Sequence, residues 1–328
     1  MGSRANAVVI EDGKRHVYCH RWAAQTLDAL MFWGTEVALA EIHEWDDGYP
    51  DSDDEPWLDN VWAEGGCCID FDRRHLLLYG GDDIECDVLR LETYMNLIRY
   101  PWEGWSVEWA WGELGQIARY AGVVGAQLEE IDCKATCHPM DFDAFLKGVI
   151  DISDLMAPGS CALSVKRDGA LVASFLDCSQ PEELLLTESR IEELFATLGD
   201  APLIYDSDEF LMGSLHLDYD ARKIWLWRTW GNNIDFEAPG YWDGWELHDL
   251  KCDYRAFYAA VPDAVEFAPF PEDVYLGKIG KWLCRDEYCF APGGLPAEER
   301  TRRFSEILVR YKADNPEQRM LPELAPAL

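Results

Sequence analysis

The chain has 328 residues, 48% of them hydrophobic and 13% aromatic, which excludes wholesale disorder and is enough for two cores. Its 28 Lys+Arg against 62 Asp+Glu leave a formal net charge of −34, a surface that repels nucleic acid and anionic lipid and attracts basic proteins. The longest apolar runs fall short of a membrane span, and "MGSRANAVVIEDG" lacks the apolar region of an export signal. These predict a cytoplasmic protein with its 11 cysteines reduced and packed as small core residues.

Taken from the N-terminus, "VVIEDGKRHVY" (Val8–Tyr18) sets Asp12-Gly13 between alternating stretches, a signal for a two-residue hairpin. The acidic stretch "DGYPDSDDEPWLDN" (Asp47–Asn60) fails as a calcium loop starting at Asp51, because Pro56 and Trp62 stand where Gly and Glu are required. It reads as a solvated, partner-facing loop. "GGCCIDFDRRHLLLYGG" (Gly65–Gly81) reads as a second hairpin, with Cys67, Ile69 and Phe71 on one side and Cys68, Asp70 and Asp72 on the other. The aspartates are either a carboxylate pair exposed for chemistry or, in the preferred reading, turn residues that accept backbone N–H bonds.

Leu91, Tyr94, Met95 and Ile98 mark a helix that ends before Pro101, and "ELGQIARYAG" (113–122) and "DFDAFLKGVI" (141–150) read as further helices. "SRIEELFATLG" (189–199) carries a capping box, Ser189 with Glu192, and Gly199 to end it. The tail predicts a helix from Pro296 with Phe304, Ile307, Leu308 and Tyr311 along one side, packing on the second half of the chain.

Three blocks recur in order. Asp12-Gly13 is matched by Asp168-Gly169 at an offset of 156; "IDFDRRHLLLY" (Ile69–Tyr79) by "LDYDARKIWLW" (Leu217–Trp227) at 148; and "WEGWSVE" (Trp102–Glu108) by "WDGWELH" (Trp242–His248) at 140. The pattern predicts an internal duplication with shortened connections in the second copy. The expected fold is α+β: two tandem, pseudo-twofold-related units of mainly antiparallel hairpins with helices on one face. The expected boundaries are 1–125 for the first unit, 126–155 for a helical connector, 156–265 for the second unit, and 266–328 for a C-terminal segment whose one helix packs on the second unit.

No complete catalytic motif is present. "CKATCH" (Cys133, Cys137, His138) and "CRDEYC" (Cys284, Cys289) lack zinc-finger spacing, and no metal or cofactor is expected. His20, His138 and His248 stand singly, and a pairing of Cys19 with a distant His stays open. Trp102 with Trp105, and Trp242 with Trp245, sit beside acids at a turn, either as shared packing corners or as an exposed aromatic rim.

The opening "MGSRANAVVIEDG", the Gly65–Gly81 hairpin and "WEGWSVEWAWGELGQIARYAG" (102–122) resemble a bacterial family of uncharacterised cytosolic proteins, a resemblance that brings no catalytic residues. In composition the chain is also similar to immunity proteins of bacterial polymorphic toxins. The expectation is an acidic inhibitor of a basic toxin domain, with Asp46, Asp47, Asp51, Asp53, Asp54 and Glu55 steering the encounter and Trp57 and Trp62 as anchors. Trp102, Trp105, Trp242 and Trp245 complete the expected partner surface. The alternative is a hydrolase using Asp, Glu or His in a groove between the copies.

Overall fold

The computed structural model describes residues 3–45, 57–58, 62–81, 84, 87–123, 161–176, 185, 212–228, 242–250, 253–262, 272–285 and 294–315. They divide between two compact units, one spanning 1–85, 89–128 and 270–328, the other 86–88 and 129–269.

The first unit is built on strands β1 (Ala5–Glu11), β2 (Lys14–His20), β3 (Gly65–Asp70), β4 (His75–Tyr79) and β5 (Ser106–Trp109), in the spatial order β2-β1-β3-β4-β5. Asp12 and Gly13, at φ 52° and 70°, form the two-residue turn that the sequence predicts. Helices α1 (Leu27–Met31) and α2 (Thr35–Ile42) lie between β2 and β3, α3 (Val88–Ile98) between β4 and β5, and α4 (Glu113–Ala121) after β5.

The sheet is mixed rather than mainly antiparallel. β1–β2 and β3–β4 are hairpins, whereas β1–β3 and β4–β5 run parallel. The parallel pairs are joined by helix-bearing crossovers, which tight turns cannot replace. Helices also cover both faces, not one. Ala5, Ala7, Val9, Cys67, Ile69, Leu76 and Leu78 share a core with residues of α1, α2 and α3. Val8, Val17, Cys68 and Leu77 pack on Leu114, Ile117, Ala118 and Ala121 of α4. Every residue of β3 is buried, as a strand covered on both faces requires.

The second unit repeats this plan with β6 (Cys161–Arg167), β7 (Ala170–Leu176), β8 (Gly213–Asp218), β9 (Lys223–Arg228) and β10 (Glu246–Asp249), in the order β10-β9-β8-β6-β7. Offsets of 156 (Ala5 to Cys161), 148 (Gly65 to Gly213) and 140 (Ser106 to Glu246) reproduce those of the sequence blocks. Parallel and antiparallel pairings recur in the same places. Helix α5 (Tyr254–Ala260) takes the place of α4, its N-terminus capped by the Asp253 carboxylate accepting from the Ala256 N–H.

The C-terminal segment departs from expectation. Among the described residues it holds two helices, α6 (Glu272–Cys284) and α7 (Ala297–Asp314), and they complete the first unit rather than the second. Phe304 packs on Phe32, Tyr311 meets Tyr100 edge-on, and the Trp282 Nε1–H donates to Asp28 Oδ2 at 2.8 Å. Of the expected stripe, Phe304, Ile307 and Tyr311 are buried and Leu308 is half-buried. Its partner is the aromatic core of the N-terminal half, which has apolar surface left over after α1–α3 are placed.

Candidate functional site

The paired aspartates hold backbone in both copies. Asp70 Oδ1 accepts from the Arg73 N–H at 2.9 Å, and Asp218 Oδ1 from the Ala221 N–H at 2.8 Å, closing the loop at the end of each strand. Asp72 reaches sideways. Its two oxygens accept from the Asp12 and Gly13 N–H groups, both at 2.8 Å, and Asp220 does the same to Asp168 and Gly169 at 2.7 and 3.0 Å. Each Asp-x-Asp therefore ties two hairpins together at one end of the sheet. The turn role is the one expected of Asp72, but its donors lie in the neighbouring hairpin.

The second oxygen of the inner aspartate separates the copies. Asp70 Oδ2 accepts from the Tyr120 hydroxyl at 2.8 Å, under a Tyr120–His75 ring stack. Asp218 Oδ2 instead meets the Lys166 ammonium at 3.4 Å. Partial burial opposes ionisation of Asp218, but the Ala221 N–H and Lys166 outweigh it and hold the carboxyl below its usual range.

Of the two readings of the Trp-x-Gly-Trp blocks, the packing of their first tryptophans supports the shared corner. Trp102 and Trp242 are only 1% and 3% exposed, and their Nε1–H groups donate to the Met31 and Leu185 carbonyls at 2.7 and 2.8 Å. Trp105 stands edge-on to Trp102 and Phe71, and Trp245 edge-on to Trp242 and Tyr219. A large ring whose one polar atom has a backbone partner belongs in a core.

Asp46, Asp47, Asp51, Asp53, Asp54 and Glu55 lie outside the described residues, but both ends of their segment are fixed. Before it, Trp45 is buried at the end of α2. After it, Trp57 and Leu58 pack on the α4 side of the first sheet. Asn6, buried in β1, clamps Leu58 from both directions. Its Nδ2 donates to the Leu58 carbonyl at 2.7 Å and its Oδ1 accepts the Leu58 N–H at 3.0 Å. Trp62 is 56% exposed, with the Arg4 guanidinium over its ring. Trp57 is thus half-buried against the sheet, while Trp62 is exposed beside Arg4.

Sequence reasoning missed a polar row across the second sheet. Ser164, His216, Trp225 and His248 stand side by side on β6, β8, β9 and β10. The matching row of the first unit is Val8, Cys68, Leu77 and Glu108. Ser164 Oγ and His216 Nδ1 are 2.7 Å apart, and burial pushes the imidazole from its ordinary 6.5 down to about 4. The Trp225 and His248 rings stack at 5.2 Å, with Lys223 over the indole and Glu246 3.0 Å from His248. Ser164 and His216 have a nucleophile–base spacing but are buried, so a reacting group must displace structure to reach them. The only sequence signal was a His where strand alternation puts Cys68 in the first copy.

Cys67 and Cys68 sit back to back in β3. Burial raises both thiols, Cys68 to about 12 with the Asp70 carboxylate adding to the shift. Neither is a thiolate nucleophile at neutral pH. His20 is engaged with the Trp22 N–H and the Trp45 ring. Among the described residues no three His, Cys, Asp or Glu side chains are grouped to hold a metal ion; Cys133, Cys137, His138 and Cys289 lie outside them. No described helix is long and apolar enough to cross a membrane. Compared with known proteins, the chain matches no family model, no curated protein and no solved structure.

Proposed function

We propose that this is an acidic binding protein that captures a basic protein, in the manner of an immunity protein blocking a basic toxin domain by direct contact. The observation that carries the reading is the anchoring of the acidic segment. Six carboxylates and no Lys or Arg fall within 46–56, between buried Trp45 and the Asn6–Leu58 clamp. Anchored ends cut the conformational freedom lost when such a segment meets a partner. A net charge of −34 raises the encounter rate with a cationic surface, and exposed Trp62 beside the segment supplies an aromatic contact for affinity.

The test begins with affinity capture of the tagged protein from nuclease-treated lysate under rising salt, followed by association kinetics with the basic partner retained. Changing Asp46, Asp47, Asp51, Asp53, Asp54 and Glu55 together to Lys is expected to slow association about ten-fold or more at low salt and to flatten its salt dependence. An unchanged rate constant would overturn the role of the segment. Capture of nothing at low salt would overturn the reading. The alternative hydrolase is favoured by one observation, the 2.7 Å Ser164–His216 pair. Covalent labelling of Ser164 by a fluorophosphonate, abolished in Ser164→Ala, would establish it.

A further inference from the structure

Among the described residues five large apolar side chains are exposed, and three of them are tryptophans at one end of the first sheet. Trp22 follows β2, Trp62 precedes β3 and Trp111 follows β5. The pairings set these strand ends side by side: Ala5 is opposite both His20 and Gly65, Gly66 is opposite Tyr79, and Leu78 is opposite Trp109. β2, β3 and β5 are alternate strands of the sheet, so at about 4.8 Å per strand the three ends lie about 10 Å from one to the next. Trp22, Trp62 and Trp111 are 51%, 56% and 37% exposed, in contrast to buried Trp102 at the opposite end.

The fold does not require these rings. What both copies need recurs in both, as Trp102 with Trp242 and Asp72 with Asp220 do. At the offsets of the duplication, Trp22, Trp62 and Trp111 fall on Cys178, Phe210 and Lys251. Large apolar side chains that are exposed together mark a contact outside the chain.

The acidic segment is tethered at this same end. Trp45, which precedes it, is in ring contact with His20, the last residue of β2. Leu58, which follows it, is clamped by Asn6, the second residue of β1. Arg4 and Arg21 lie over the rings of Trp62 and Trp22 and hold them in place. Against these two cations are set Glu64 and the six carboxylates between Trp45 and Leu58, so the charge at this end is acidic.

From this we infer that the partner docks on this end of the first sheet, with Trp22, Trp62 and Trp111 receiving apolar side chains that project from its basic surface. The inference rests on the acidic-binding reading and names where the partner sits and which side chains hold it. Charge decides the occupant. A second copy would bring another −34 and the same acidic segment, and a neutral sugar would gain nothing from either, whereas a basic protein gains Coulomb energy from both. The labour divides as at other charged interfaces: carboxylates set the rate of encounter, and large rings set how long the complex lasts.

The probe is a fluorescein-labelled peptide of four Lys-Leu repeats, titrated by anisotropy against the full chain; extended, its eight residues reach about 26 Å, enough to span the row. Lys-Gly and Glu-Leu repeats of the same length accompany it, as do the protein variants Trp22→Ala, Trp62→Ala and Trp111→Ala, with Val309→Ala as an exposed control elsewhere. The expected result is that Lys-Leu binds about ten-fold or more tighter than Lys-Gly. Each tryptophan variant should weaken Lys-Leu about five-fold or more and change Lys-Gly less than about two-fold, with Val309→Ala neutral. On the unmodified protein, saturating Lys-Leu peptide should shield the three tryptophans from hydroxyl-radical oxidation, read by mass spectrometry. Equal binding of Lys-Leu and Lys-Gly, or binding that leaves the three rings unshielded, would overturn the aromatic anchors while leaving the acidic-binding reading in place. Equal binding of Glu-Leu and Lys-Leu, both lost in the tryptophan variants, would overturn that reading while leaving an aromatic surface. No binding by either Lys peptide, a dimer dissolved by the three substitutions, or a cellohexaose complex lost with them would each overturn the inference.

Discussion

Asp72 and Asp220 each satisfy two backbone donors of a turn that begins 60 and 52 residues away in sequence. Replacing either by Ala is expected to cost about 1–2 kcal/mol in urea unfolding, within the range for hydrogen bonds to a charged group and reduced by exposure; Asn should recover part of it. Equal costs at the two sites would mark them as the same device in two copies. His216 makes a pH prediction. Its folded value of about 4 lies below the ordinary 6.5, so the unfolded chain binds a proton that the folded chain refuses. The contribution is intact above about pH 6.5 and is lost as pH falls toward 4, by about 3 kcal/mol at most. Unfolding midpoints of the wild type and His216→Gln, compared between pH 7 and 4, should converge as pH falls. Parallel curves would show that the imidazole does not carry the effect.

At the scale of elements, the two copies differ at one strand position beneath α4 and α5, Gly66 in the first and Ser214 in the second. A Cβ on Gly66 would lie 2.6 Å from Leu114 Cδ2 and 3.1 Å from the Asn6 carbonyl oxygen, so a side chain there requires Leu114 of α4 to move and β1 to give by a few tenths of an ångström. Ser214 fills the equivalent place, its Oγ 3.1 Å from the Tyr258 hydroxyl of α5. Gly66→Ser is expected to destabilise the protein by about 1–3 kcal/mol, as overpacking does, and Ser214→Gly by much less. Thermal melts of the two variants check the asymmetry. The hairpins were legible in the sequence because Asp-Gly fixes both turn and register locally, and the duplication because its blocks keep their order. The parallel pairings were not, since packing between strands far apart in sequence selects them. Helices α1 and α2 also escaped notice, for neither N-cap, Thr26 or Gly34, makes a side-chain capping bond that a motif could announce. Of the expected site residues, alternation could not tell whether Trp102 faced water. Its hydrogen bond to the Met31 carbonyl, 71 residues away, is a tertiary fact.

At the scale of the whole molecule, the first unit is discontinuous. Its sheet is finished by Trp109, yet Leu276, Ile279, Trp282, Phe304 and Tyr311 belong to the same core. Removing residues 272–328 strips the Trp282 donor from buried Asp28 and exposes Phe32 and Tyr100. Such a truncation is expected to lose cooperative unfolding of the N-terminal half, read as the loss of hydrogen-exchange protection in β1 and β3. Retained protection there would show that the helices decorate a core already complete. A chain built this way also has a clock. The N-terminal sheet leaves the ribosome well before the helices that seal it, with more than a hundred residues to be made in between, on the order of ten seconds of synthesis. Through that interval its aromatic core lacks a wall, and the helices that close it are translated only after the whole second unit.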